Sequence, residues 1–181
     1  WMIANVHAES ANRVGTNIVA VHDPRIDRVK EFGVSHHCEV YSTVDSLLAR
    51  NDIEGVVVAV PNDRHAPLAI EVLKAGKHVL LEKPMAMTLQ ECDEILQARN
   101  DSGKQLQMGF VCRYSPAAQK AKQIIDRGNI GEVHHVQATL LRQRGIPGLG
   151  GWFTTKSRSG GGCLIDIGVH LIDLVMYLTN K

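Results

Sequence analysis

The chain is short of several things at once. Aromatic residues are 4% of its 181 residues, and the formal net charge is +1. A near-neutral chain has neither a basic stripe for neutralising phosphates nor an acidic tail, so no nucleic-acid partner is expected. No uninterrupted apolar run approaches the ~20 residues that span a bilayer, and no membrane association is expected. Cys38, Cys92, Cys112 and Cys163 have neither paired nor metal-type spacing. That fits reduced thiols in a cytoplasmic protein. HExxH and CxxC are both missing. Two of the histidine pairs, His36-His37 and His134-His135, are sequence neighbours. Neighbours in a strand point to opposite faces and do not easily share an ion, so no metal site is expected.

The elements that are present alternate. Periodicity and stop signals predict a helix over 4–13, a strand over 17–22 ending at Asp23, and a helix opened by Pro24. A strand over 38–41 follows, then a helix capped by Thr43 and running to about residue 50. Next come a strand over 55–60, a helix over 64–75, a strand over 78–81, a helix from Thr88 to about 102, and a strand over 105–109. Glu91 stands three residues after Thr88, which makes a capping box. Strand-helix alternation implies a parallel sheet. A doubly wound dinucleotide fold opens with a strand running into GxGxxG, and neither is found here. Helix 4–13 is what would follow that loop. The expectation is therefore a fragment that lacks the first strand and most of the phosphate-binding turn, with Trp1 preceded by more chain. Past residue 110 the pattern changes to a helix over 115–127 and a strand over 132–141. A glycine- and serine-rich stretch over 143–162 surrounds Trp152-Phe153. A mostly apolar helix over 164–178 comes last. A chain of this length can bury one good core, or one core and part of a second.

Three places carry chemistry. The run Ala75-Gly76-Lys77-His78-Val79-Leu80-Leu81-Glu82-Lys83-Pro84 reads as a helix stop, a buried strand and a charged pair halted by proline. In an open parallel sheet, Glu82 and Lys83 would lie at the carboxyl edge, where ligands bind. The alternative is a solvated pair at an ordinary strand end. Asp23, ending a β run, can hydrogen-bond ribose hydroxyls, which favours NAD. It can equally cap the helix after Pro24. Arg25 could meet a 2′-phosphate instead, so NADP is tolerated. On the last helix, Asp166, His170 and Asp173 fall at i, i+4 and i+7 and share one face. A helix that is apolar nearly all round is expected to be buried, so these groups need partners or face a cavity. Either they form a site or they form a buried network, and Asp173 is closer to the second.

The motifs AVPNDRHAPLAIEVLKAG (59–76), AGKHVLLEKPMA (75–86) and GGGCLIDIGVHLID (160–173) together resemble the Gfo/Idh/MocA family of nicotinamide-dependent oxidoreductases, which includes glucose-fructose oxidoreductase and inositol dehydrogenase. The resemblance runs over essentially the whole chain. It implies an α/β fold: a Rossmann-like doubly wound parallel sheet lacking its first strand, over 1–110, followed over 111–181 by the start of an α+β substrate domain. It implies hydride transfer between NAD or NADP, NAD favoured, and a sugar, cyclitol or related polyol. Lys83, Asp166 and His170 are the implied catalytic residues. Ala4 is expected at the third small position of the phosphate loop. Pro61, Asn62 and His65 are expected on the nicotinamide side, with Asp23, Arg25, Glu82 and Lys83 completing the cofactor set. Arg113, Tyr114 and His170 are expected near substrate. Trp152 either stacks on a sugar or simply packs its loop. The Lys83-Pro84 bond is expected to be cis, and the full-length protein to be a homo-oligomer. The other functions open to this fold are a non-catalytic nucleotide or sugar sensor and an NAD-dependent glycosidase. The intact Lys83, Asp166 and His170 speak against the sensor.

Overall fold

A computed structural model of the chain describes residues 2–141 and 151–181. Residues 142–150, the first part of the expected glycine-rich loop, lie outside the described residues. The fold is α/β with parallel strand pairing. The chain separates into two compact units that interleave along the sequence. The first comprises Trp1–Ala59, Pro67–Leu81 and Glu94–Gln107, and the second Val60–Ala66, Glu82–Asp93 and Met108–Lys181.

The first unit is built from α1 (Met2–Arg13), β1 (Ala20–Val21), α2 (Ile26–His36), β2 (Glu39–Val40), α3 (Val44–Leu48) and β3 (Gly55–Val58). To these it adds most of α4 (His65–Lys74), β4 (His78–Leu81), the later part of α5 (Leu89–Ser102) and β5 (Leu106–Met108). Local chemistry accounts for many of the boundaries. The Thr43 side chain accepts the Ser46 N–H and starts α3. Thr88 and Glu91 form the expected capping box at α5: Glu91 N–H donates to Thr88 Oγ1 at 3.2 Å, and Thr88 N–H to Glu91 Oε2 at 3.1 Å. Gly76, at φ +73°, ends the α4 segment, where a side chain would be strained. The next residue, Lys77, is buried and donates through Nζ to the Arg50 carbonyl at 2.6 Å. Helix α2 begins at Ile26 rather than at Pro24. The Asp23 side chain shapes the intervening turn by accepting the Arg25 N–H two residues on.

The parallel sheet comes in two pieces, β1–β2 and β3–β4–β5. Among the described residues no strand pairs β1 with β3. Strands β3 and β4 run in register from Gly55↔His78 to Val58↔Leu81, so the chain leaves both at the same, carboxyl edge. The core here is aliphatic. Val29, Val58, Ala69, Val72, Leu73, Leu81 and Ile95 are at most 1% exposed. Burying such side chains is the main favourable term in folding.

The second unit holds the 3₁₀ turns Asn62–Arg64, Val111–Tyr114 and Trp152–Thr154, together with α6 (Pro116–Asp126) and α7 (Lys156–Ser159). It ends in the π-helical turn Leu164–Gly168, which leads into α8 (Val169–Thr179). Ser115 caps α6 and accepts the Ala118 N–H, with Pro116 in the first turn. Two expectations need correction here. Residues 132–141 form no strand, because a strand exists through its ladder and none of the described residues pairs with them. The last helix is not buried all round. Within α8 only Asp173 is buried, and Ile172 and Met176 are about half exposed. The helical run Lys156–Thr179 is also long and apolar enough, by length and composition alone, to cross a membrane. Counting only uninterrupted apolar residues had hidden this. The run carries two carboxylates that form ion pairs, Asp166 and Asp173, an expensive cargo in lipid.

Candidate active site

The residues that gather chemistry all belong to the second unit. Lys83 follows β4, separated from it by Glu82. Its backbone N–H donates to the Glu82 carboxylate at 3.2 Å, and Glu82 is itself buried. The Lys83-Pro84 peptide is cis, as the resemblance implied. Lys83 Nζ then meets one residue twice: it donates to Asp166 Oδ1 at 2.8 Å and to the Asp166 carbonyl at 2.7 Å. Both side chains are mostly buried, which strengthens a charge-assisted bond over a surface pair. Asp166 lies in the π turn, where the longer hydrogen-bonding interval adds a residue to the turn. Such turns recur at functional sites. His170 follows on α8, its ring edge-on to Phe110 with centroids 6.5 Å apart.

The glycine run before the π turn is tied in from the other side. The Asn62 side-chain amide donates to the Ser159 carbonyl at 2.8 Å, a buried bond. Arg158 Nε donates to Asp63 Oδ2 at 3.1 Å. Gly160 then turns at φ +84°, and a Cβ there would come within 3.1 Å of Met87 and Ile165. Sequence reading missed Asp63, Arg158 and Ser159 altogether. Arg158 stands 95 residues from Asp63 and Ser159 97 from Asn62, and no local spacing links them.

The remaining candidates are placed as follows. Pro61 leads into the 3₁₀ turn of Asn62. His65 is fully buried, with Nδ1 2.6 Å from the Pro84 carbonyl and Nε2 3.0 Å from the Val60 carbonyl, so neither ring nitrogen is open to a ligand. Desolvation lowers the pKa of His65. The two carbonyls and Glu82 oppose that shift and Lys83 adds to it. Arg113 forms a two-point ion pair with Asp173: Nε donates to Oδ2 at 2.9 Å and Nη2 to Oδ1. Donating to the Asp173 carboxylate holds Arg113 more firmly in its charged form. Its guanidinium also lies 5.4 Å from the Tyr177 ring centroid. Asp173, the residue closest to a structural role in the sequence reading, is thus the most buried acid of the helix. Tyr114 is exposed, and Trp152 is half-buried against Phe153 at 5.4 Å.

In the first unit, Asp23 lies two residues past the end of β1. Partial burial pushes its carboxyl up, but hydrogen bonds and charge from Arg25 outweigh this and hold it below the usual carboxylate value. Oδ1 accepts twice from Arg25, from its backbone N–H and its Nε, whereas Oδ2 accepts once and keeps a lone pair for a further donor. Ala4 lies in the first turn of α1, which carries no acidic residue. Burial pushes the Cys38 and Cys92 thiols up, away from thiolate nucleophiles. Among the described residues no cluster of His, Cys, Asp and Glu could hold a metal ion.

Comparison with known proteins fits this geometry. D-glucoside 3-dehydrogenase of Escherichia coli K12 is 34% identical over 96% of this chain and 50% of its own length. Inositol 2-dehydrogenase of Rhizobium meliloti 1021 is 29% identical over 99% of this chain and 52% of its own. A solved levoglucosan dehydrogenase, in complex with NADH and levoglucosan, superposes with a TM-score of 0.79 at 27% identity, covering 92% of this chain and 46% of that one. The chain spans about half the length of the curated relatives it matches. Residues 118–181 match the GFO/IDH/MocA C-terminal domain, and residues 2–110 match the oxidoreductase family with an NAD-binding Rossmann fold. With both profiles matched in order, and with the lysine after β4 bonded to the aspartate of the glycine-led helix, the chain belongs to the GFO/IDH/MocA oxidoreductase family.

Proposed function

We propose that the natural protein carrying this sequence oxidises or reduces a secondary alcohol carbon of a sugar, cyclitol or related polyol, with NAD favoured over NADP. The observation that carries this reading is the two-point hold of Asp166 on Lys83, with His170 one turn further along the same helical run. The names of the similar proteins, a glucoside, an inositol and a levoglucosan dehydrogenase, support the substrate class. The described residues also fit a dinucleotide. Asp23 has acceptor capacity for ribose hydroxyls, and the first turn of α1, with Ala4, offers no carboxylate to repel a phosphate. Four free thiols fit a cytosolic setting.

A bound nicotinamide supplies a hydride acceptor. The protein must then take a proton from the alcohol oxygen and stabilise the negative charge that develops there. In this reading His170 takes the proton, because imidazole gains and loses protons near neutrality. Lys83 presents its ammonium to the forming alkoxide, and Asp166 fixes that ammonium in place from two oxygens. Pro61 and Asn62 line the nicotinamide side. Arg113, engaged with Asp173, braces α8 and holds its register, while Tyr114 and Trp152 are assigned to the substrate side.

The test is a panel of cyclitols, glycosides and anhydrosugars assayed with the natural protein by reduced-nicotinamide absorbance, repeated with Lys83→Ala. Turnover on cyclic polyols that falls on the order of 10²-fold or more in the variant supports the reading. Net glycoside hydrolysis without net reduction of cofactor would point to the glycosidase instead. Cofactor binding with no turnover on any member would point to the sensor.

A further inference from the structure

His65 occupies a position in the second unit that the chemistry above does not use. Its side chain is 0% exposed, and each ring nitrogen faces a carbonyl oxygen, Nδ1 that of Pro84 at 2.6 Å and Nε2 that of Val60 at 3.0 Å. A carbonyl oxygen only accepts. Each nitrogen must therefore donate a hydrogen or set its lone pair against another lone pair. A neutral imidazole has one N–H to give. The cation has two, but burial works against it. The charged groups that bear on the ring are Glu82, which favours the cation, and Lys83, which opposes it, and desolvation outweighs the rest. The ring is accordingly neutral near pH 7, and the contact distances decide which nitrogen holds the hydrogen. Opposed lone pairs at 2.6 Å cost more than at 3.0 Å, so the hydrogen belongs on Nδ1.

We infer that His65 is a positioning residue for Lys83: as the Nδ1–H tautomer it donates to the Pro84 carbonyl, pins the chain immediately after Lys83, and so aims Nζ at Asp166. This role rests on the proposed function only in that Lys83 is the group being aimed. The Pro84 carbonyl is one residue from the Lys83 carbonyl along the chain, and Lys83 N–H is held from its other side by Glu82. The backbone of the reactive lysine is thus anchored before and after. A reacting group displaced by about 1 Å can lose on the order of 10²-fold in rate.

Two substitutions separate the two carbonyl contacts. His65→Asn sets an amide N–H near the place of Nδ1 and can still bond Pro84. His65→Gln sets one near the place of Nε2 and can bond only Val60. In the natural protein, kcat should survive Asn within a few-fold and fall on the order of 10-fold or more in Gln, with the cofactor KM changed little in both. Equal losses in the two variants, or a larger loss in Asn, overturn the inference. The tautomer is read directly from the ¹⁵N ring shifts of His65 in the wild-type protein. Nδ1–H supports the inference, and Nε2–H, the form a free imidazole side chain prefers, overturns it. The aim of Lys83 is read without turnover from its ¹³Cε and ¹⁵Nζ shifts, which should move in Gln and stay in Asn. If those shifts behave so while the wild type turns over no polyol, the dehydrogenase reading fails and the positioning role stands.

Discussion

The two compact units bury different kinds of residue. Among the described residues, the first buries Val29, Phe32, Val72, Leu73, Leu81 and Ile95, with Lys77 as its buried charged residue. The second buries Asn62, His65, Glu82, Ser159 and Asp173, and its buried apolar side chains are small ones, Ala66, Pro84, Ala86 and Ala118. Aliphatic burial stabilises without direction, whereas a buried polar group is tolerable only when its partner is in place. The first unit is thus organised by area removed from water. The second is organised by matched donors and acceptors, the arrangement a reacting site requires. The sequence separations differ in the same way. Many bonds of the first unit are local, such as Thr43 with Ser46 or Arg50 with Asp52. The second unit has local bonds too, at its helix caps, but those that build its site join residues 83, 60 and 97 positions apart.

The contrast can be broken at either end. The largest stability effect should come from the aliphatic side. Leu73→Ala removes a fully buried side chain and should cost about 2–5 kcal/mol by denaturant unfolding of the natural protein, while kcat of the folded fraction stays near wild type. If kcat falls with stability, the site is not separable from that core. Arg113→Ala should come next. It strands Asp173, which is buried, and should cost on the order of 3 kcal/mol, less if water reaches the partly exposed arginine side. The companion change Asp173→Asn should recover part of this in the double variant, and strict additivity would show that the pair is not coupled.

The smallest effect is a pH dependence. Desolvation lowers the pKa of His65 below its unfolded value, so between the two values the unfolded chain binds more protons. Stability from this group is therefore fully present above about pH 6.5 and is lost as pH falls through the folded value. His65→Asn should flatten the slope of Tm against pH on that acid side. An unchanged slope would place the titration elsewhere.

How far each region could be read from sequence follows the same division. Strand 78–81, the Thr88–Glu91 box and the Gly76 stop are set by residues within a few positions of one another, and all three match the structure. Residues 132–141 alternate as a strand should, yet alternation shows only that a strand is possible, and pairing depends on a neighbour that local sequence does not name. The 166–170–173 spacing correctly picked out residues that need partners. It could not say that Lys83 would take Asp166 and Arg113 would take Asp173, nor that a π turn would intervene. The His65 contacts were illegible for a further reason. A histidine in a sequence does not show which carbonyls its ring will meet, and here they come from residues 60 and 84.

In the proposed chemistry α8 carries the base and the lysine after β4 carries the charge. This is tested most directly by His170→Ala in the natural protein, with kcat across pH, cofactor Kd and Tm measured on the same preparation. Loss of a positioned base typically lowers the rate by about 10²–10⁴-fold. The expected result is a fall of that size in kcat, loss of one limb of its pH profile, and a cofactor Kd and Tm close to wild type. Near-normal turnover with a clearly lowered Tm would contradict it, making His170 a packing residue against Phe110 and placing the base elsewhere.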